Sequence, residues 1–212
     1  MPARFSKICL LSRLAIIALA VFARPAPAEI KISKDFTDRP IPSQHGETSG
    51  KMEDAVIDVA EHILIIDLDI AVTLTHDAFF DLEMTLTSPQ GSTILLNPHS
   101  NYSFFTTDST SGIVIAGGTN RFLFDDEAEI AVEEAIEPWG QPFKPADGFQ
   151  LSVFDGQDAF GQWRLQISDA WPSHVGQLHT VELIVETPEP NSVFLFGLAG
   201  LLSRFWKHHK KR

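Results

Sequence analysis

Along residues 70–74 and 82–87 the side chains alternate in kind. Ile70, Val72 and Leu74 take turns with Ala71 and Thr73, and Leu82, Met84 and Leu86 with Glu83, Thr85 and Thr87. A period of two puts successive side chains on opposite faces of an extended chain, so each run reads as a strand with one buried face. The second run closes on Ser88-Pro89-Gln90-Gly91, where Pro presets the second turn position and Gly frees a later one; residues 93–96 then return as a hairpin partner. Further strands are predicted over 55–59, 63–74, 113–115, 149–154, 163–168 and 178–185, with one short helix near 127–136. Short strands separated by Gly, Pro, Asn and Asp clusters define an all-β fold, an antiparallel β-sandwich. A doubly wound parallel sheet is excluded, because the helices it requires between strands are missing.

Charge divides the chain into three. Residues 1–28 carry Arg4, Lys7, Arg13 and Arg24 and no acid; residues 191–212 carry Arg204, Lys207, Lys210, Lys211 and Arg212 and no acid. Residues 29–190 therefore hold seven basic and all 28 acidic groups, a net charge of −21. Such a body repels nucleic acid and anionic lipid. The only cysteine, Cys9, lies in the basic leader, so the body has neither disulfide nor thiol chemistry.

The flanks read as addresses. Basic residues, an apolar run over 14–22 and a small-residue end at Ala26-Pro27-Ala28 give the layout of a secretory signal peptide cleaved by signal peptidase after Ala28. Residues 29–51, with Pro40, Pro42, Gly46 and Gly50 among polar residues, show no period and read as a lead-in linker to a domain over 52–187. At the other end Pro188-Glu189-Pro190 runs into an apolar segment over 192–206 and then the basic terminus. An apolar segment with a basic end sits in the membrane with that end on the cytoplasmic side, and this one is short against the roughly 20 residues of a stable span. The order Pro-Glu-Pro, apolar helix, basic tail over 188–212 resembles the PEP-CTERM sorting signal of bacterial exopolysaccharide-associated proteins. That resemblance implies an exosortase that cuts near the Pro-Glu-Pro, transient anchoring in the inner membrane, and a final place at the cell surface or in the extracellular matrix.

The body carries a second resemblance. His76, Asp81-Leu82, the strand into Ser88-Pro89-Gln90-Gly91-Ser92, Phe124-Asp125-Asp126-Glu127-Ala128 and Pro142-Phe143-Lys144-Pro145 occur in that order. They are followed by Leu151-Ser152-Val153-Phe154, Gly161-Gln162-Trp163-Arg164-Leu165, Ile167-Ser168-Asp169 and Gly176-Gln177-Leu178. Together they resemble the P domain, or Homo B domain, of proprotein convertases over about 52–187, which implies a jelly-roll-like sandwich. Two positions depart from the family: Val181 stands where its last strand usually has Trp, and Gly91-Ser92 where it usually has Gly-Thr. A P domain normally follows a subtilisin-like catalytic domain and steadies it without contributing to the triad.

That catalytic domain is not in this chain. A subtilisin triad needs its nucleophilic Ser on a Gly-Thr-Ser helix start, and here Gly118-Thr119 leads into Asn120. Ser88, His76 and Asp81 supply the three residue types, yet Ser88 opens a Pro turn and His76 ends a strand where its ring can bond a loop. The expectation is a non-catalytic module that binds or stabilises, with exopolysaccharide or a separately encoded subtilisin-like serine endopeptidase as partner. Acids gather at loop and strand ends, and Ca²⁺ takes six to eight oxygens from such loops. Asp81, Asp126 and Asp169 are expected to converge, with Asp125 beside them, on a calcium ion; several bacterial P domains are similar in holding calcium this way. Among the aromatics, Trp163 alternates with Leu165 and Ile167 and belongs to the core, while Trp139 and Trp171 lie beside prolines in loops.

Overall fold

The computed structural model describes residues 27–45, 50–99, 118–134, 141–172 and 174–188. Two sheets face each other. Strands β1 (Pro27–Ile41), β4 (Asp67–His76), β7 (Thr119–Phe124), β8 (Ile130–Ala131), β9 (Pro142–Lys144) and β11 (Gly176–Pro188) form one, in the order β1-β11-β4-β7-β9-β8. The other runs β2-β10-β5-β6, from β2 (Gly50–Lys51), β5 (Leu82–Thr87), β6 (Thr93–Asn97) and β10 (Gly161–Asp169), with β3 (Ala55–Val59) also pairing with β10. The protein is an all-β sandwich, and its long pairings are antiparallel: β4 with β11 and β7, and β10 with β3 and β5. The short β9 runs parallel to both β7 and β8.

The alternation that predicted the strands also builds the core. Leu82, Met84 and Leu86 of β5 and Trp163, Leu165 and Ile167 of β10 are buried on one side, and Leu86 faces Leu165 across the ladder. From the other sheet Leu68, Ile70, Val72 and Leu74 meet them with Phe122 and Phe124. Phe79 stacks on Phe122 at 4.0 Å between ring centres, and Phe154 meets the Trp163 ring edge-on at 5.1 Å. The indole N–H of Trp163, fully buried, donates to the Ala159 carbonyl at 2.9 Å. Val181 is fully buried opposite Val72.

Four expectations change. Residues 27–41, read mostly as linker, are the edge strand β1. Its inward residues Ile30, Ile32, Phe36 and Ile41 pack on the core, but Thr37 and Asp38 at φ 50 and 58 break the period of two. The run 63–74 is two pieces: 63–66 pairs with 156–159 through the Leu64–Asp158 bridge, and β4 starts only at Asp67. In place of a strand over 149–154 there is a 3-10 turn, Leu151–Phe154, because its buried residues are three apart and Ser152 and Val153 lie outside. The helix expected near 127–136 is instead β8 and a 3-10 turn at Val132–Glu134. The strand expected at 113–115, Trp139, residues 1–26 of the leader and the segment 192–206 all lie outside the described residues, while Pro27 and Ala28 at the expected cleavage point open β1. Among those described, no helix is long and apolar enough to cross a membrane.

Candidate functional site

Strand β4 carries polar groups at both ends, and its ten residues hold those ends about 30 Å apart at roughly 3.3 Å per residue. At its C-terminal end, where the chain crosses from one sheet to the other, His76 and Asp169 are both fully buried and meet through Nε2 and Oδ2 at 3.3 Å. The other Asp169 oxygen accepts the Trp171 N–H at 2.8 Å. His76 Nδ1 lies 3.1 Å from the Ala78 N–H and 2.9 Å from the Ala78 carbonyl. Next to this pair Asp81 meets His174 Nδ1 at 2.7 Å, and its carbonyl accepts the Ala170 N–H. The two imidazoles stand 6.4 Å apart between ring centres. His76 therefore ends its strand and bonds a loop as the sequence suggested, and Asp81 and Asp169 do share one corner.

Asp125 and Asp126 lie at the opposite end, beyond β7 and beside the start of β4. Asp126 accepts the backbone N–H groups of Leu151 and Ser152 at 2.8 and 2.9 Å, which anchors the 3-10 turn, and Asp125 accepts that of Glu127 at 2.6 Å. Asp67, Asp69, Asp155 and Glu186 crowd the same region. Asp69 is pushed up to about 7 by burial first and then by Asp125, Asp67, Glu127 and Glu186, and its buried Oδ1 has no hydrogen-bond partner. Asp67 and Asp155 are raised too, by burial first and then by Asp125 and Asp126 for Asp67 and by Asp67 and Asp126 for Asp155. Among the described residues, every charge that shifts these three groups is another carboxylate.

The four carboxylates expected to gather round calcium, Asp81, Asp125, Asp126 and Asp169, thus fall into two pairs at opposite ends of β4. They do not fit a single calcium site. Among the described residues no group of three or more His, Cys, Asp or Glu side chains is arranged to hold a metal ion. Ser88, His76 and Asp81 are not assembled either. The Ser88 hydroxyl donates to Gln157 Oε1 at 3.0 Å and accepts the Ser92 N–H, holding the 88–91 turn that the Gly91 N–H closes onto the Ser88 carbonyl. The partner of His76 is Asp169, which the sequence alone could not pair with it across 93 residues.

One surface feature has no counterpart among the sequence expectations. His62, Leu64 and Ile66 point outward from the 62–66 segment while Ile63 and Ile65 enter the core. Asp158, on the paired segment, holds the two together: it accepts the Ile63 and Phe160 N–H groups and meets His62 at 2.6 Å. Phe160 stacks on His62 at 4.3 Å. Leu64, Ile66 and Phe160 are 51%, 43% and 45% exposed, and Val153, on the 3-10 turn packed against β4, is 49% exposed.

Fold and side chains together define an all-β sandwich with a buried His-Asp corner at one end of its central strand and a carboxylate cluster at the other. Solved structures with similar coordinates include the serine protease of Aeromonas sobria. In complex with its chaperone, ORF2, the match has a TM-score of 0.49 and 18% identity, covering 82% of this chain and 29% of that one. For the Aeromonas sobria protease alone the values are 0.48 and 18%, covering 81% and 29%. The chain thus spans less than a third of these proteins. No protein-family model matches the sequence, and no curated protein matches it significantly.

Proposed function

We propose that this chain is an exported, non-catalytic module that binds or stabilises a partner at the cell surface or in the surrounding matrix. Its P-domain-like sandwich lies between a secretory leader and a PEP-CTERM-like tail. The observation that carries the reading is how the three residues of a hydrolase are employed: Ser88 holds a turn through Gln157, His76 is buried against Asp169, and Asp81 is bound to His174. Several large apolar side chains stand exposed as well, Leu64, Ile66, Val153 and Phe160 among them. The peptidase assay is the direct test: no turnover of peptide substrates is expected, and turnover that disappears in Ser88→Ala overturns the reading. Intact-mass measurement on protein from its native host tests the address labels, with termini expected after Ala28 and near Pro188-Glu189-Pro190. A mass that includes 193–212 counts against exosortase handling.

The P-domain resemblance also supports a narrower role as an accessory subunit that steadies a separately encoded subtilisin-like protease. Retention of such a protease on the immobilised chain would assign it, and its absence leaves the general binding role.

A further inference from the structure

The apolar surface on the 62–66 segment is a strip with a direction. His62, Leu64 and Ile66 alternate with buried neighbours along one extended piece, so their side chains share a face. Phe160 lies beside His62, and Leu64 stands opposite Asp158 in the bridge. At Ile66 the strip runs into the carboxylate cluster: the Ile66 N–H donates to the Glu186 carbonyl at 2.8 Å, and Asp67 pairs in register with Glu186. Val153 is exposed on the 3-10 turn that packs on β4 and leads into the Gly156 N–H bond to the Ile65 carbonyl, and Asp155 follows it two residues later, close enough to Asp67 to feel its charge. The result is a row of about half-exposed aliphatic and aromatic side chains bordered at one end by Asp67, Asp155 and Glu186.

We propose that this strip docks a protein segment presenting apolar side chains flanked by Lys or Arg. The inference rests on the binding-module reading above and assigns that module its contact surface and the chemistry of its partner. Apolar side chains on the segment remove Leu64, Ile66, Val153 and Phe160 from water, which supplies the affinity. Cationic groups beside them face carboxylates that already repel one another, so their arrival relieves repulsion as well as adding attraction, and steers the encounter. A second copy of this chain is disfavoured, because an identical face sets the same carboxylates against each other. Anionic lipid is repelled for the same reason.

The test uses the full chain and a fluorescent synthetic peptide of alternating Leu and Lys, with binding read by anisotropy. Saturable binding is expected, weakening as salt rises, and at least about tenfold weaker for the double variant Leu64→Ser/Ile66→Ser, a difference of roughly 1.4 kcal/mol. Val153→Ser, on a different element, is expected to weaken binding in the same direction. Trp171→Ser/Val175→Ser, which alters exposed apolar residues outside the strip, is expected to leave it unchanged. Peptides of alternating Leu and Glu or Ser and Lys are expected to bind at least about tenfold more weakly, since each lacks one of the two features. Unchanged binding in both strip variants overturns the proposal, as does equal binding of the Ser and Lys peptide. Sedimentation that shows a dimer dissolved by Leu64→Ser/Ile66→Ser would assign the strip to self-association, and zwitterionic vesicle binding lost in that variant would assign it to lipid; either overturns the proposal. Thermal melts check that each variant is folded. Failure here would leave the non-catalytic reading intact, whereas peptide turnover lost in Ser88→Ala would overturn that reading whatever the strip does.

Discussion

Asp69 is the side chain most at odds with its surroundings. Its Oδ1 is buried without a partner, and its carboxyl is pushed up to about 7 from 3.8 by burial and then by neighbouring carboxylates. The folded chain therefore binds this proton more tightly than the unfolded chain does. The resulting stability is fully present below about pH 4 and is lost as pH rises through about 7. Asp67 and Asp155 are raised and act in the same direction; Asp158, lowered by the Phe160 N–H and then by His62, acts in the opposite one and loses its contribution as pH falls through its folded value. Asp69→Asn removes the charge but keeps the shape. Its melting midpoint at pH 8 is expected to exceed the parent's, by about 2–4 °C for each kcal/mol relieved, and its decline between pH 5 and 8 to be shallower. Parallel pH profiles for the two proteins would show that Asp69 is not the group responsible. At the other end of β4, Asp169→Ala strips the buried His76 of its carboxylate and the Trp171 N–H of its acceptor. A loss of about 3 kcal/mol is expected in denaturant unfolding, and a loss below 1 kcal/mol would mean that water replaces the carboxylate.

At the level of elements, close approach explains more than propensity does. Strand β11 begins at Gly176, opposite His76, where a methyl group would run into the Thr75 carbonyl and the His76 ring. Gly176→Ala is expected to cost about 1–3 kcal/mol as an overpacked site, or to part β11 from β4 at that end, which faster amide exchange across 176–178 would report. Normal stability with native exchange would show that the ring moves aside freely. Three residues on, the register of β11 shifts around His179, whose ring bonds Asp38 at 2.6 Å and Thr75 at 2.7 Å. The bulge thereby fastens the left-handed kink of β1. This device also shows why β1 was hidden in the sequence. Its alternation stops at Thr37-Asp38, and its hydrogen bonds come from a strand more than 130 residues away, so nothing local distinguishes residues 29–41 from a linker. By contrast, β5, β6, β10 and the turn between β5 and β6 were legible because period, turn chemistry and burial agree there. The run 63–66 was not: four consecutive apolar residues carry no phase, so the face turned to solvent is settled only by pairing with 156–159.

For the molecule as a whole, strand-end acids were visible in the sequence but their partners were not. Asp81 and Asp126 both follow or precede apolar strands, and only the direction of β4 sends one to the His-Asp corner and the other to the carboxylate cluster. The body-wide charge has a consequence of its own. Among the described residues the ion pairs made by Lys or Arg are Lys31–Glu29, Lys51–Asp54 and Arg121–Glu182, all at the surface and each worth up to about 1 kcal/mol. Against them stand 21 uncompensated negative charges over residues 29–190, several of them crowded at one end of β4. Raising ionic strength from about 0.01 M to 0.15 M shortens the screening length from about 30 Å to about 8 Å. That weakens the three surface pairs slightly and the many-body repulsion much more, because repulsion here acts over distances beyond contact. The melting midpoint is therefore expected to rise with sodium chloride at pH 7.5, and the rise to shrink at pH 5 as Asp69 takes up its proton. A midpoint that falls with salt would mean that attractive pairs, rather than crowded carboxylates, govern this sandwich's electrostatics.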